Sequence, residues 1–87
     1  MFTWKYPGNN VMIAGDFTEW HPVQMIRKDF IWTYEIPLTY GIHRFKFVID
    51  NNWVCDDSLP KEPDPDGNIN NTIVVSPRSP MRKYRTM

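Results

Sequence analysis

Apolar residues recur at every second position in short runs along the chain, and each run ends in a cluster of turn formers. Phe2-Thr3-Trp4-Lys5-Tyr6 alternates, Pro7-Gly8-Asn9-Asn10 interrupts, and Val11-Met12-Ile13-Ala14-Gly15 resumes. Side chains two positions apart share one face of a strand, so these two runs predict a hairpin. Residues 24–28 form a further short strand. A stronger one covers residues 30–36, with Phe30, Trp32, Tyr34 and Ile36 on one face. Residues 37–41 form a loop, after which Phe45, Phe47 and Ile49 share a face opposite Arg44, Lys46 and Val48. Asp50-Asn51-Asn52 turns the chain into Trp53-Val54-Cys55. A segment rich in Pro and Asp follows, and residues 71–75 make the last strand.

No helical periodicity survives for three turns. Short strands at intervals of roughly 8–12 residues predict an all-β fold, an immunoglobulin-like β-sandwich of about seven antiparallel strands. The expected domain covers residues 1–75. Residues 76–87 have the composition of a basic, flexible tail, with too few apolar side chains to offset the cost of ordering them. In that tail Ser76-Pro77 and Ser79-Pro80 are candidate sites for proline-directed phosphorylation.

Length and composition narrow the function. A chain of 87 residues makes one small domain. Its formal net charge is zero, but Arg78, Arg82, Lys83 and Arg85 all lie in the tail. Residues 1–75 thus hold six basic and ten acidic groups, a net charge of −4. Nucleic-acid binding depends on clustered cations, so the body is a poor candidate and only the tail offers weak attraction. The single Cys55 forms no internal disulfide, and the start of the chain lacks the apolar core of a secretory signal. No apolar run approaches the ~20 residues of a membrane span. The expectation is an intracellular, cytoplasmic protein.

Catalytic constellations are weak. His21, His43 and Cys55 are the only imidazole and thiol groups; His43 reads as a strand residue, His21 as a loop residue and Cys55 as a small buried hydrophobe. Asp56 and Asp57 are adjacent, point to opposite sides of an extended chain, and read as solvated loop acids. Residues 62–70 carry Asp64, Asp66 and Gly67 in part of a calcium-loop pattern, but Ile73 falls where the bidentate glutamate belongs. Asn70-Asn71-Thr72 fits the glycosylation pattern by coincidence. No enzyme activity, metal or cofactor is expected.

Two aromatics stand apart. Trp4, Trp32, Phe45 and Phe47 fit strand faces and are assigned to the core. Trp20 and Trp53 lie beside turns among polar neighbours and continue no alternation. An indole held on a rigid turn offers a flat apolar surface at little ordering cost, suited to stacking on the C–H face of a sugar ring.

The ordered set Gly15-x-Phe17-x-x-Trp20, Gly41-x-His43-x-Phe45-Lys46-Phe47-x-x-Asp50, Trp53, Asp56 and Asn70-Asn71 resembles the glycogen-binding domain of AMP-activated protein kinase beta subunits, a family-48 carbohydrate-binding module. The resemblance covers nearly all of residues 2–75. It implies an immunoglobulin-like sandwich that binds α-1,4-linked glucan, such as glycogen or starch, without cleaving it. It further implies that Trp20 and Trp53 form the stacking platform and that Lys46 and Asn70 bond sugar hydroxyls. Asn68 stands at the family's threonine after the loop glycine. The chain departs from the family at Thr18-Glu19, where paired asparagines are usual, and at Asp66, where a leucine inserts against the sugar. Weak glucan binding is the expectation. The alternative is a degenerate sandwich that docks, as a structural subunit, in a larger protein assembly.

Overall fold

In the computed structural model, which describes residues 1–77, nine strands form two antiparallel sheets. The strands are β1 (Phe2–Trp4), β2 (Val11–Gly15), β3 (Val23–Gln24), β4 (Ile26–Lys28), β5 (Ile31–Tyr34), β6 (Gly41–Ile49), β7 (Asn52–Val54), β8 (Lys61–Pro63) and β9 (Ile69–Val75). The smaller sheet has the order β1-β5-β4. The larger runs β3-β2-β6-β9-β8, with β7 also paired to β6. The fold is the expected all-β, immunoglobulin-like sandwich. Residues 78–87, most of the predicted basic tail and Ser79 with it, lie outside the described residues.

The core forms where the apolar faces meet. Phe2 and Trp4 of the small sheet pack on Phe45 and Phe47 of the large one, with ring centroids 4.8 Å apart for Phe2–Phe45 and 4.9 Å for Trp4–Phe47. Val11, Ile13, Met25 and Trp32 complete the buried cluster. The 2-residue period placed every one of these aromatics on its correct face.

The pairing of the first two runs differs from expectation. β1 and β2 do not form a hairpin: Trp4 pairs with Trp32 in the small sheet, whereas Ile13 pairs with Phe47 in the large one. The connection therefore crosses between sheets. Pairing with β5 puts Phe2 and Trp4 across the core from β6, where their rings pack on Phe45 and Phe47. Alternation fixes which face is buried but not which strand is the neighbour.

Three smaller corrections concern turns. Phe30 does not share the buried face of Trp32; it is 81% exposed, because Asp29 and Phe30, at φ 54° and 70°, are the two turn residues of the β4–β5 hairpin. Asp56 is buried rather than solvated. Its carboxylate accepts from the Ser58 N–H and hydroxyl, and its own N–H donates to Asn71 Oδ1. Cys55 is half-buried, with its thiol 3.4 Å from the Ile69 carbonyl.

Candidate functional site

The outer face of the large sheet carries the site. Lys46 and Val48 of β6 sit on the face opposite Phe45 and Phe47, and the register pairs Val48 with Trp53, so the indole shares that outer face. Trp53 is brought there by a two-residue hairpin, in which Asp50 and Asn51 adopt φ 49° and 72°. Asn and Asp tolerate that left-handed region better than most residues. The Asp50 carboxylate also accepts from the N–H groups of Asn9 and Asn10, tying the first loop to the same turn.

Trp20 arrives by a different device. A 3-10 turn over Asp16–Thr18 is closed by Thr18 Oγ1, which accepts from the Gly15 N–H and lies 3.1 Å from the Gly15 carbonyl as donor. The Trp20 N–H returns to the Gly15 carbonyl at 2.8 Å, and Glu19 and Trp20 both hold positive φ. Gly15 permits this close approach: a Cβ there would lie 2.5 Å from the Phe17 ring and 2.7 Å from the Arg44 carbonyl. The turn is anchored to β6 through Asp16, whose Oδ2 accepts from the Arg44 N–H at 2.9 Å and whose Oδ1 lies 2.8 Å from His43 Nδ1. His43 Nε2 is 2.8 Å from the Thr39 carbonyl. An imidazole with an acceptor at each nitrogen satisfies both only when doubly protonated. Asp16 first, and then the Thr39 carbonyl, raise the His43 pKa above its ordinary value.

Trp20, Trp53, Lys46, Asn68 and Asn70, the five residues expected from sequence, line one open depression of about 530 Å³. Both indoles are exposed, at 38% and 48%, whereas Trp4 and Trp32 are buried. Three further lining residues were not anticipated: Asp16, Arg44 and Asp64. Arg44 was legible, because it shares the outer face with Lys46 two residues away. Asp16 and Asp64 were not, because their orientation is set by turn hydrogen bonds. Glu19 and Asp66, the carboxylates that sequence put beside the platform, do not line the depression.

The two carboxylates that do line it are occupied. Asp16 is bonded as above, and Asp64 accepts from the N–H groups of Asp66 and Asn68 at 2.9 Å and from the Asn70 amide at 3.2 Å. Burial acts to raise the Asp64 carboxyl, but the bonds from Asn68, Asp66 and Asn70 together outweigh it and hold the group below the ordinary carboxylate range. Asn70 itself is only 4% exposed and its amide is engaged, so Asn70 does not offer the free side chain that glycosylation needs. Its neighbour Asn71 is structural: fully buried, it donates to the carbonyls of Asp56 and Pro60 and holds the 56–60 loop to β9. Among the described residues no group of three His, Cys, Asp or Glu side chains is disposed to hold a metal, and no helix is long and apolar enough to cross a membrane.

Known proteins resemble the chain at the level of the family. The chain is 32% identical over 72 residues to the 5'-AMP-activated protein kinase subunit beta of Schizosaccharomyces pombe, which covers 83% of this chain and 24% of that protein. It is 35% identical over 78 residues to the SNF1 protein kinase subunit beta-3 of Saccharomyces cerevisiae, covering 85% and 19% respectively. Against the 5'-AMP-activated protein kinase subunit beta-1 of Sus scrofa it is 31% identical over 75 residues, 86% of this chain and 62% of that one. The chain thus spans about a quarter or less of the two fungal relatives. A family model described as the glycogen recognition site of AMP-activated protein kinase matches residues 1–81, and the chain belongs to that family.

Proposed function

We propose that this domain binds α-1,4-glucan without cleaving it, with Trp20 and Trp53 as the stacking platform. The observation that carries this reading is the convergence of two exposed indoles with Lys46, Asn68 and Asn70 on one open depression. The indoles supply flat apolar area for the C–H faces of successive sugars, and the lysine and amides supply donors and acceptors for their hydroxyls. The binding unit is the sandwich of residues 1–75. The family's printed role, glycogen recognition, supports the same ligand class.

Recognition fits better than hydrolysis. Glycoside cleavage uses a pair of carboxyl groups, one held protonated by a raised pKa. Here Asp64 is pushed the other way, and both lining carboxylates are committed to turn hydrogen bonds. A millimolar dissociation constant corresponds to about −4 kcal/mol, within reach of two stacking contacts and a few hydrogen bonds, so binding is weak for a single short chain. A branched polysaccharide offers many such ends.

Maltoheptaose titration followed by tryptophan fluorescence, with an amylopectin pull-down alongside, tests the reading. Trp20→Ala/Trp53→Ala abolishes both signals and leaves the β-sheet circular dichroism unchanged; retention on amylopectin by the double variant contradicts the platform.

A second reading, docking in a larger assembly, is favoured by the relatives' description as kinase beta subunits and by the exposed Ile26 and Phe30 at the far hairpin. It is compatible with glucan binding because the two surfaces are carried by different sheets. Stable association with protein partners that survives Trp20→Ala/Trp53→Ala and is lost with Phe30→Ala supports it.

A further inference from the structure

The turn between β8 and β9 does more than reverse the chain. Asp64-Pro65-Asp66-Gly67 has the residue preferences of a tight turn, with Asp first, Pro second and Gly fourth, and the Gly67 N–H closes it on the Asp64 carbonyl at 3.0 Å. The Asp64 N–H donates in turn to the Asn68 carbonyl at 2.7 Å, and Gly67 takes φ 87°, which favours glycine. Within this frame one carboxylate serves three donors. Oδ1 accepts from Asp66 and Asn68 N–H, and Oδ2 accepts from Asn70 Nδ2.

The last of these bonds matters for a ligand. An asparagine amide has two ends of nearly equal shape and opposite hydrogen-bond character, and an ionised carboxylate is an acceptor only. Oδ2 therefore selects the NH2 end of Asn70 and leaves the carbonyl end for the depression. We infer that Asp64 is a positioning residue of the site: it locks the Asn70 amide so that a carbonyl faces the ligand, and the site reads a sugar hydroxyl there as a donor. This inference rests on the glucan reading for the identity of the ligand. Through the Asn68 N–H the same carboxylate also sets the backbone of the second amide residue that lines the depression.

The test is a double-mutant cycle on the whole chain with maltoheptaose as probe. Asp64→Asn keeps an acceptor for the Asp66 and Asn68 N–H groups but sets an NH2 against the Asn70 NH2, which forces the Asn70 amide to turn over. The expected result is an affinity loss of about three- to tenfold, the range of one hydrogen bond, that disappears when the same change is made in an Asn70→Ala background. Equal losses in both backgrounds, or no loss in the wild-type background, overturn the inference. A ligand-free arm separates it from the glucan reading. In an acid titration followed by NMR, the Asn70 side-chain NH2 resonances move with the Asp64 carboxyl, below the ordinary carboxylate range. Resonances that ignore that titration overturn the lock itself. A wild-type chain that fails to bind maltoheptaose overturns the glucan reading and the ligand-facing half of the inference, while the titration still decides the lock.

Discussion

Two of the places where this sandwich exposes aromatic surface differ in what surrounds it. On the outer face of the large sheet, Trp20 and Trp53 stand over Lys46, Arg44, Asn68 and Asn70. At the β4–β5 tip of the small sheet, Phe30 is 81% exposed and Ile26 68%, with the Arg27 guanidinium 5.4 Å from the Phe30 ring centroid. The tip has apolar area and a cation, but the polar groups do not converge on a shared cavity. Specific recognition of a polar ligand needs both. Exposure of a large aromatic is thus a poor guide by itself, and the hydrogen-bonded frame beneath it is the better one.

The two places also differ in how the backbone is held. Each puts a bulky aromatic at positive φ, Trp20 at 60° and Phe30 at 70°, but the turn that carries Trp20 is fastened to the large sheet by the Gly15, Thr18, Asp16 and His43 bonds, whereas Phe30 sits at the exposed end of a two-residue hairpin. Breaking the fastened turn has the largest expected effect. Gly15→Ala drives a methyl into the Phe17 ring and the Arg44 carbonyl, and the overpacking costs about 1–3 kcal/mol. The checks are a lower thermal midpoint and weaker retention on amylopectin.

A milder break uses pH. The His43 pKa is raised in the folded chain, so its contribution is complete below the ordinary value of 6.5 and is lost as pH rises through the raised value. Glucan affinity and thermal midpoint both fall across that window, and His43→Gln removes the pH dependence; titrations at several pH values check this.

The smallest effect is expected at the tip. Phe30→Gly relieves the left-handed strain and suits a two-residue hairpin turn, so stability rises by about 0.5–1 kcal/mol while glucan affinity stays the same. A parallel loss of glucan binding contradicts the separation of the two surfaces.

The placement of the outer-face residues was more legible in the sequence than the topology was. Alternation in residues 41–49 put Lys46 opposite Phe45 and Phe47, and the turn position of Trp20 and Trp53 marked them as non-core; both features are local. The crossing of β1 to the small sheet depends on pairings 28 to 32 residues apart in the chain, Trp4 with Trp32 and Phe2 with Tyr34, and no local pattern encodes it. Short β3 and β8 were missed as separate strands for a related reason: Val23–Gln24 and Lys61–Pro63 have little alternation and exist because β2 and β9 offer them an edge. Asp64 was noticed only as part of a failed calcium loop. Its oxygens are used by Asp66, Asn68 and Asn70, and that arrangement becomes visible only with the turn closed.

The most direct test of the platform uses the four tryptophans as their own controls. In a ¹H–¹⁵N spectrum of the whole chain, addition of maltoheptaose shifts the indole N–H signals of Trp20 and Trp53 and leaves those of buried Trp4 and Trp32 in place. Silence at Trp20 and Trp53 with ligand in millimolar excess, or shifts confined to residues around Phe30, contradicts the account.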